Sequence, residues 1–314
     1  MKKTTKCLTL LLITGSCLFA ENSVSGKVFF NHTYGLGDED DHSFNMKRAY
    51  MTYANTVNES VSYKVTYDMG NNGAGSAHTA FLKVAMLKWK TNLGNMMIGM
   101  QGMNMFKTME NTWGHRFIAK MPMDTYKFSA SADVGIGFAK TFGPVSTSAL
   151  ITNGGGYKSA ETDTHKKVSL HAVYGESKLN KKDGFNAGAS FSTEPYDAES
   201  GAVENTNVMS LFAGFAGSGF RGGFEFDTKT NESVSGQIIS AYGTFKFTEK
   251  LSALARFDMS DPDTDMADDG KQVVIAGVHY VADKGFTIAP TFHMSTPEVG
   301  DPENSIVMNF QFAF

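Results

Sequence analysis

Beyond residue 20 the chain has no cysteine; Cys7 and Cys17 both stand in the first twenty residues. The rest of the protein cannot be stapled by disulfides, so its stability must come from another source. Proline is scarce at seven residues. Arginine is scarcer, with only Arg48, Arg116, Arg221 and Arg256. After residue 20 no stretch is long and apolar enough for a membrane helix, and the mean hydropathy of −0.22 would alone suggest a water-soluble protein. His32, His115, His171, His279 and His293 show no close ligand spacing, so no metal site is expected. Gly154-Gly155-Gly156 follows a strand but opens no helix, which argues against a phosphate-cradling loop, and no cofactor is expected.

What is present begins with a leader. Lys2, Lys3 and Lys6 precede the apolar run Leu8–Ile13. The small residues Gly15, Ser16 and Ala20 follow, and then the polar Glu21-Asn22-Ser23. This pattern predicts a secretory signal peptide over residues 1–20, cut after Ala20 and too short to span a bilayer. Leu18, three positions before the cut, is larger than the rule prefers. Cys17 raises a lipoprotein alternative, but Thr14-Gly15-Ser16 lacks the usual leucine upstream. Removing the leader leaves 25 basic and 32 acidic residues, a net charge of −7, which argues against a nucleic-acid partner.

The remaining chain, residues 21–314, alternates. At its end Ile306, Met308, Phe310, Phe312 and Phe314 share one face, and Asn309, Gln311 and Ala313 the other. Period two over nine residues is a strand with one apolar face. Val61, Tyr63, Val65, Tyr67 and Met69 likewise alternate with Ser62, Lys64, Thr66 and Asp68. Phe220, Phe224 and Phe226 alternate with Arg221, Glu225 and Asp227, and Leu251, Ala253, Ala255, Phe257 and Met259 with Ser252, Arg256 and Asp258. Val168, Leu170, Ala172 and Tyr174 do so with Lys167, Ser169 and His171. Strands of about 9–11 residues match a tilted bilayer crossing. Tyr50, Tyr53, Trp89, Phe245, Phe247 and Tyr280 sit toward strand ends as girdle residues do. A charge facing lipid costs about 2–4 kcal/mol at the midplane, so the face holding Lys64, Arg221, Glu225 and Arg256 should point inward. Residues 79–90 and 207–217 are apolar on both faces, as where a loop or a neighbouring subunit packs.

Sixteen strands are predicted, near 24–35, 43–54, 58–69, 79–91, 94–103, 127–142, 144–153, 166–177, 184–194, 207–216, 219–230, 234–247, 250–260, 271–282, 285–294 and 304–314. Fourteen and eighteen are the alternatives. Long connections (35–42, 70–78, 104–126, 154–165, 194–206, 261–270, 295–303) alternate with tight turns, the short 231–233 being the exception. Outer-membrane barrels have long external loops and short periplasmic turns. The expected fold is therefore all-β: a closed antiparallel transmembrane β-barrel, a single domain wide enough for a water channel.

A family resemblance adds to this. Phe44-Asn45-Met46-Lys47-Arg48-Ala49-Tyr50-Met51, Val61-Ser62-Tyr63-Lys64-Val65-Thr66-Tyr67-Asp68, Asp133-Val134-Gly135-Ile136-Gly137-Phe138 and Asn153-Gly154-Gly155-Gly156-Tyr157 resemble the sixteen-stranded porins of Gram-negative bacteria. Among those they are most similar to the loosely related group around the phosphate-selective porins O and P. The terminal Phe314 also looks like the C-terminal signal read by the insertion machinery. The resemblance implies an outer-membrane protein passing small hydrophilic solutes, a loop folded into the lumen after the fifth strand, and often a homotrimer. It does not carry over a phosphate preference, which needs a ladder of Arg and Lys.

The longest loop, residues 104–126, supplies candidate constriction residues: Lys107, Glu110, Trp113, His115, Arg116, Lys120 and Asp124. Opposed acid and base there would set a transverse field. Candidate wall charges are Lys27, Arg48, Lys64, Lys167, Arg221 and Arg256 with Asp68, Glu225 and Asp258; for each, a wall salt bridge and a selectivity role stand side by side. The sign of selectivity is not legible, since much of the acid lies in external segments such as Asp38-Glu39-Asp40-Asp41. Asp261-Pro262-Asp263-Thr264-Asp265 starts like a calcium loop, but Met266 and Gln272 replace the required Gly and Glu. Solvated acid, or loose divalent bridging to lipopolysaccharide, is the better reading. A barrel hydrolase would need a Ser, His and Asn or Asp set on outward strands, and none is apparent. A surface adhesin would use its loops, which are modest in length and poor in aromatics.

Overall fold

The computed structural model describes residues 21–37, 42–70 and 78–314. Residues 1–20, where the leader is expected, the acidic run at 38–41 and residues 71–77 lie outside them. Sixteen strands follow in order: β1 (Glu21–Gly35), β2 (His42–Thr56), β3 (Val61–Gly70), β4 (Thr79–Lys90), β5 (Asn95–Gly102), β6 (Ala132–Phe142), β7 (Val145–Thr152), β8 (Lys167–Gly175), β9 (Gly184–Asp197), β10 (Val203–Gly217), β11 (Phe220–Asn231), β12 (Val234–Lys246), β13 (Leu251–Asp261), β14 (Lys271–Asp283), β15 (Phe286–Pro297) and β16 (Glu303–Ala313). Two short helices, α1 (Lys107–Trp113) and α2 (Pro122–Thr125), lie between β5 and β6. Each strand pairs antiparallel with the next, and β1 returns to β16 through Val28↔Phe312 and Phe30↔Phe310. Closure removes the sheet edge and pairs the backbone strand to strand, so residues 21–314, which hold no cysteine, need no disulfide to close the fold.

The start of β1 and the end of β16 lie at the end of the barrel that carries tight turns, such as 143–144, 218–219 and 284–285; the segments 103–131, 153–166 and 262–270 lie at the other. The start of β6 and the β9–β10 connection differ most from the sequence expectation. β6 starts at Ala132 rather than 127, because residues 126–131 complete the inserted loop, with Phe128 buried in it. The expected connection 194–206 shrinks to 198–202, because the β9–β10 ladder continues through Glu194↔Thr206 to Asp197↔Val203.

The faces follow the alternation. Ser62, Lys64, Thr66 and Asp68 point inward, as do Arg221, Glu225 and Asp227, and Arg256 and Asp258; Tyr63, Tyr67, Phe224 and Phe257 point outward and are exposed. Tyr53, Trp89, Phe245, Phe247 and Tyr280 are outward aromatics as expected. Tyr50 is not. It points inward and packs edge-on against Phe29 at 5.6 Å, because its strand position has the parity of Thr52 and Arg48. At the closure seam, Phe30, Phe310, Phe312 and Phe286 stack across β1, β16 and β15, with centroids 4.5 Å (Phe30–Phe310), 5.6 Å (Phe30–Phe312) and 4.9 Å (Phe312–Phe286) apart.

Two β-bulges add a charge to the interior. The β1–β2 register passes from Phe29↔Arg48 to Phe30↔Met46, leaving Lys47 unpaired. The β3–β4 register passes from Thr66↔Val84 to Tyr67↔Leu82, leaving Lys83 unpaired. An extra residue reverses parity locally. Lys47 and Arg48 therefore both face inward, and Val84 and Met86 join Lys83 there. This accounts for the two apolar faces of residues 79–90.

Candidate functional site

Residues 103–131 leave β5 and turn into the barrel, and their side-chain chemistry shows why. Met105, Trp113, Met121 and Met123 are fully buried and Met109 nearly so. They pack with Phe106, Phe117 and Phe128 against inward residues of the far wall, including Val173, Val208, Phe212, Ile238, Tyr242, Leu254 and Ile275. Val208 and Phe212 explain the apolar inner face of residues 207–217: a loop of the same chain covers them. Burying each such side chain stabilises by about 1.5–3 kcal/mol. In α1, Met109 and Trp113 are one turn apart and share the face toward the wall. Gly114 ends the helix in the left-handed region at φ 73°, and a Cβ there would stand 2.6 Å from Arg221 Nη2. Glycine meets both demands.

Polar bonds fix the loop to the wall. Ser190 Oγ donates to the Met105 carbonyl (2.7 Å), Tyr242 Oη to the Met109 carbonyl (3.3 Å) and Arg221 Nη2 to the Trp113 carbonyl (3.1 Å). His171 bridges Thr108 (3.0 Å) and Ser190 (2.8 Å), and His115 pairs with Thr244 at 2.9 Å. Burial, and then the neighbouring His279 and Arg221, hold the His115 imidazole well below its ordinary range, so it sits neutral.

With the loop against the β8–β14 wall, three chambers remain around it. One of about 520 Å³ lies at the loop end, bordered by Arg48, Arg116, Lys120, Lys127, Lys158, Lys167 and Lys229 against Asp124 and Glu194. One of about 580 Å³ lies at the turn end, bordered by Lys27, Lys64, Lys83, Lys107 and Arg116 against Glu110. A third, of about 420 Å³, adds Lys47 and Arg256 with Asp258. Arg116 borders all three, so they meet at its side chain. Arg48 and Lys83 stand on the wall beside this junction, both bonded to Asp68.

The candidate residues thus divide into groups. Lys107, Glu110, Arg116, Lys120 and Asp124 face the chambers. Trp113 and His115 do not: they form the apolar underside of the loop. The expected opposition of acid and base across a gap is also not what the structure holds. Asp124 lies beside its partners, 3.4 Å from Arg116 and 3.4 Å from Lys120, on the same loop. Lys27, Arg48, Lys64 and Lys167 are lining charges, the last paired with Glu194 at 3.0 Å. Arg256 grips Asp258 at 2.8 Å with its guanidinium over the Trp113 ring. Arg221 and Glu225 lie behind the loop, in its seat. Asp68 is wholly buried beneath Arg48, Lys83 and Tyr157.

Sequence reading missed Lys47, Lys83, Lys127, Lys158 and Lys229. Lys47 beside Arg48 carried a usable signal: strict alternation would put one cation in lipid, at a cost that flags a bulge. Lys83 inside an apolar stretch carried the same signal. Lys229 shares the parity of Arg221, Glu225 and Asp227 on β11 and was legible by alternation; the loop lysines Lys127 and Lys158 carried none.

The closed sixteen-stranded antiparallel barrel is the fold of outer-membrane barrel proteins. No protein-family model matches the chain, and no curated protein matches it in sequence. Among solved structures, the outer membrane channel DcaP of Acinetobacter baumannii superposes with a TM-score of 0.70 at 13% identity, over 94% of this chain and 97% of that one. The anion-selective porin from Comamonas acidovorans gives 0.69 at 10%, over 94% and 100%. OmpT of Vibrio cholerae in its trimer form gives 0.64 at 12%, over 94% and 99%. At such identities the likeness is one of fold.

Proposed function

We propose that the chain is an outer-membrane diffusion channel, not an enzyme, that passes small hydrophilic solutes and prefers anions. The observation that carries this is the lining: the three chambers meeting at Arg116 hold far more Lys and Arg than Asp and Glu, although the chain as a whole is acidic. Charge lining a narrow, water-filled path sets ion preference, while acid on exposed segments is screened within about 10 Å at 0.1 M salt. The inserted loop 103–131 takes up part of the lumen, and Arg116, with Arg48 and Lys83 on the facing wall, stands where the three chambers adjoin. Lysine supplies most of the cationic ladder that four arginines could not. The apolar outer face, the alternation of long and short connections and the leader at residues 1–20 support export to the outer membrane, with lipid and lipopolysaccharide around the barrel. Assembly as a homotrimer is part of this reading, supported by the trimer form of one structural neighbour.

Planar-bilayer recording of the refolded barrel in asymmetric KCl is the test. The expected result is discrete conductance steps with a reversal potential on the chloride side. A correctly folded barrel with no conductance would end the channel reading, and a potential on the potassium side would end the anion preference. Chemical cross-linking in detergent would show a three-chain species if the trimer holds.

A further inference from the structure

A second segment enters the barrel, and none of the candidate residues lay on it. After β7 the chain runs through Gly154-Gly155-Gly156, with Gly156 in the left-handed region at φ 76°, and delivers Tyr157 inward. Two bonds set this path: the Gly154 amide donates to Asp133 Oδ2 (2.6 Å) and the Tyr157 amide to the Ala132 carbonyl (3.0 Å). The Tyr157 hydroxyl then donates to Asp68 Oδ2 at 2.8 Å. That one oxygen also accepts from Arg48 Nη1 at 3.3 Å and Lys83 Nζ at 3.4 Å. Lys83 Nζ lies 4.8 Å from the Tyr157 ring centre and 5.1 Å from that of Tyr50, and Phe81 meets Tyr157 edge-on at 6.3 Å.

We propose that Asp68 and Tyr157 form a latch that makes residues 154–158 a second constriction element and fixes where the two wall cations at the Arg116 junction stand. This rests on the channel reading above. Asp68 is a positioning residue. Wholly buried, it meets solute only through Arg48 and Lys83, whose side chains remain 14% exposed. An aspartate facing the path beside Arg48 and Lys83 would weaken anion passage. Buried beneath three donors, it instead holds two long, mobile cations in one geometry. Charge-assisted hydrogen bonds of this kind are the stronger ones. Burial, and then Asp68 itself, raise the Tyr157 phenol above its ordinary value, so it remains a donor at neutral pH.

The test compares the wild-type barrel with Tyr157→Phe and Asp68→Asn, using two readouts. Tryptic cleavage after Lys158 reports whether the segment is docked, since cleavage follows the population of the open form. Single-channel recording reports the pore. Tyr157→Phe removes one hydrogen bond to a charged group without changing volume. It is expected to raise the cleavage rate roughly 10- to 100-fold and to add visits to a higher conductance level, with the reversal potential unmoved. Asp68→Asn is expected to shift the reversal potential further toward chloride, because the junction gains one net positive charge. That shift reads the charge of Asp68; its positioning role is read from the conductance level in Tyr157→Phe, which keeps the charge, and a bond that did not reach the path would leave that level unchanged. Unchanged cleavage and a single conductance level in Tyr157→Phe would overturn the latch even if Asp68→Asn fails to fold. Faster cleavage in a barrel that never conducts would support the latch and overturn the channel reading instead.

Discussion

Replacing Trp113 by alanine separates the loop from the barrel that contains it. The indole is fully buried on the underside of the loop. It stands edge-on to Tyr242 with centroids 5.8 Å apart, lies under the Arg256 guanidinium at 5.4 Å and donates from Nε1 to the Ala119 carbonyl at 3.1 Å. Truncating a buried Trp or Phe costs about 3–5 kcal/mol. None of the contacts named belongs to the strand ladder, so nearly all of that cost falls on the docked loop. At 1.4 kcal/mol per factor of ten, its undocked population should rise at least about 100-fold. Trypsin reads this directly, because Lys107, Arg116, Lys120 and Lys127 all lie in the segment. Cleavage there should accelerate by that factor, while the barrel keeps its heat-modifiable migration on gels. Trp113→Phe, which keeps most of the apolar area and loses the Nε1 bond, should accelerate it only about tenfold. Unchanged cleavage in Trp113→Ala, or loss of the barrel together with the loop, would refute the view that the loop is an independent body seated on the far wall.

Three further outcomes follow from the same geometry. Docking should weaken in acid. His115 is neutral when buried, whereas the undocked ring titrates near 6.5, so below that pH the undocked form takes up a proton the docked form refuses. Well below pH 6.5 the loss approaches about 1.4 kcal/mol per pH unit; from pH 6.5 to 5.5, where the undocked ring starts half protonated, undocked occupancy should rise about fivefold, and His115→Asn should remove that share of the slope. Arg116→Glu reverses a charge where all three chambers meet and should move the reversal potential toward potassium; an unmoved potential would place the narrowest point elsewhere. Removing Phe314, whose backbone pairs with Gly26 at the closure seam and whose ring is exposed, should lower the yield of assembled barrel while leaving the conductance of the assembled fraction unchanged.

The barrel was legible in the residues alone. Side-chain period is two in any strand, and lipid penalises a charge at every outward midplane position, so the outward faces of β3, β11, β13 and β16 were written in their residues. Strand number and the alternation of loop with turn followed, because tight turns carry their own residue chemistry. What the sequence left undecided were the faces where parity breaks. Tyr50 looked like a girdle residue until its parity with Arg48 was fixed, and Lys47 and Lys83 needed the bulges to place them. The inserted loop was legible as a long segment rich in charge, but not in which side it shows. Trp113 and His115 turned toward the wall because Val208, Phe212, Ile238, Tyr242 and Leu254 offered an apolar seat assembled from separate strands. The cationic path, too, is a tertiary fact. A chain with net negative charge acquires a cationic lining only when closure gathers lysines from β1, β2, β3, β4, β8, β11 and two loops around one space. Those lysines are distant in sequence, and only the three-dimensional arrangement sets their charges side by side.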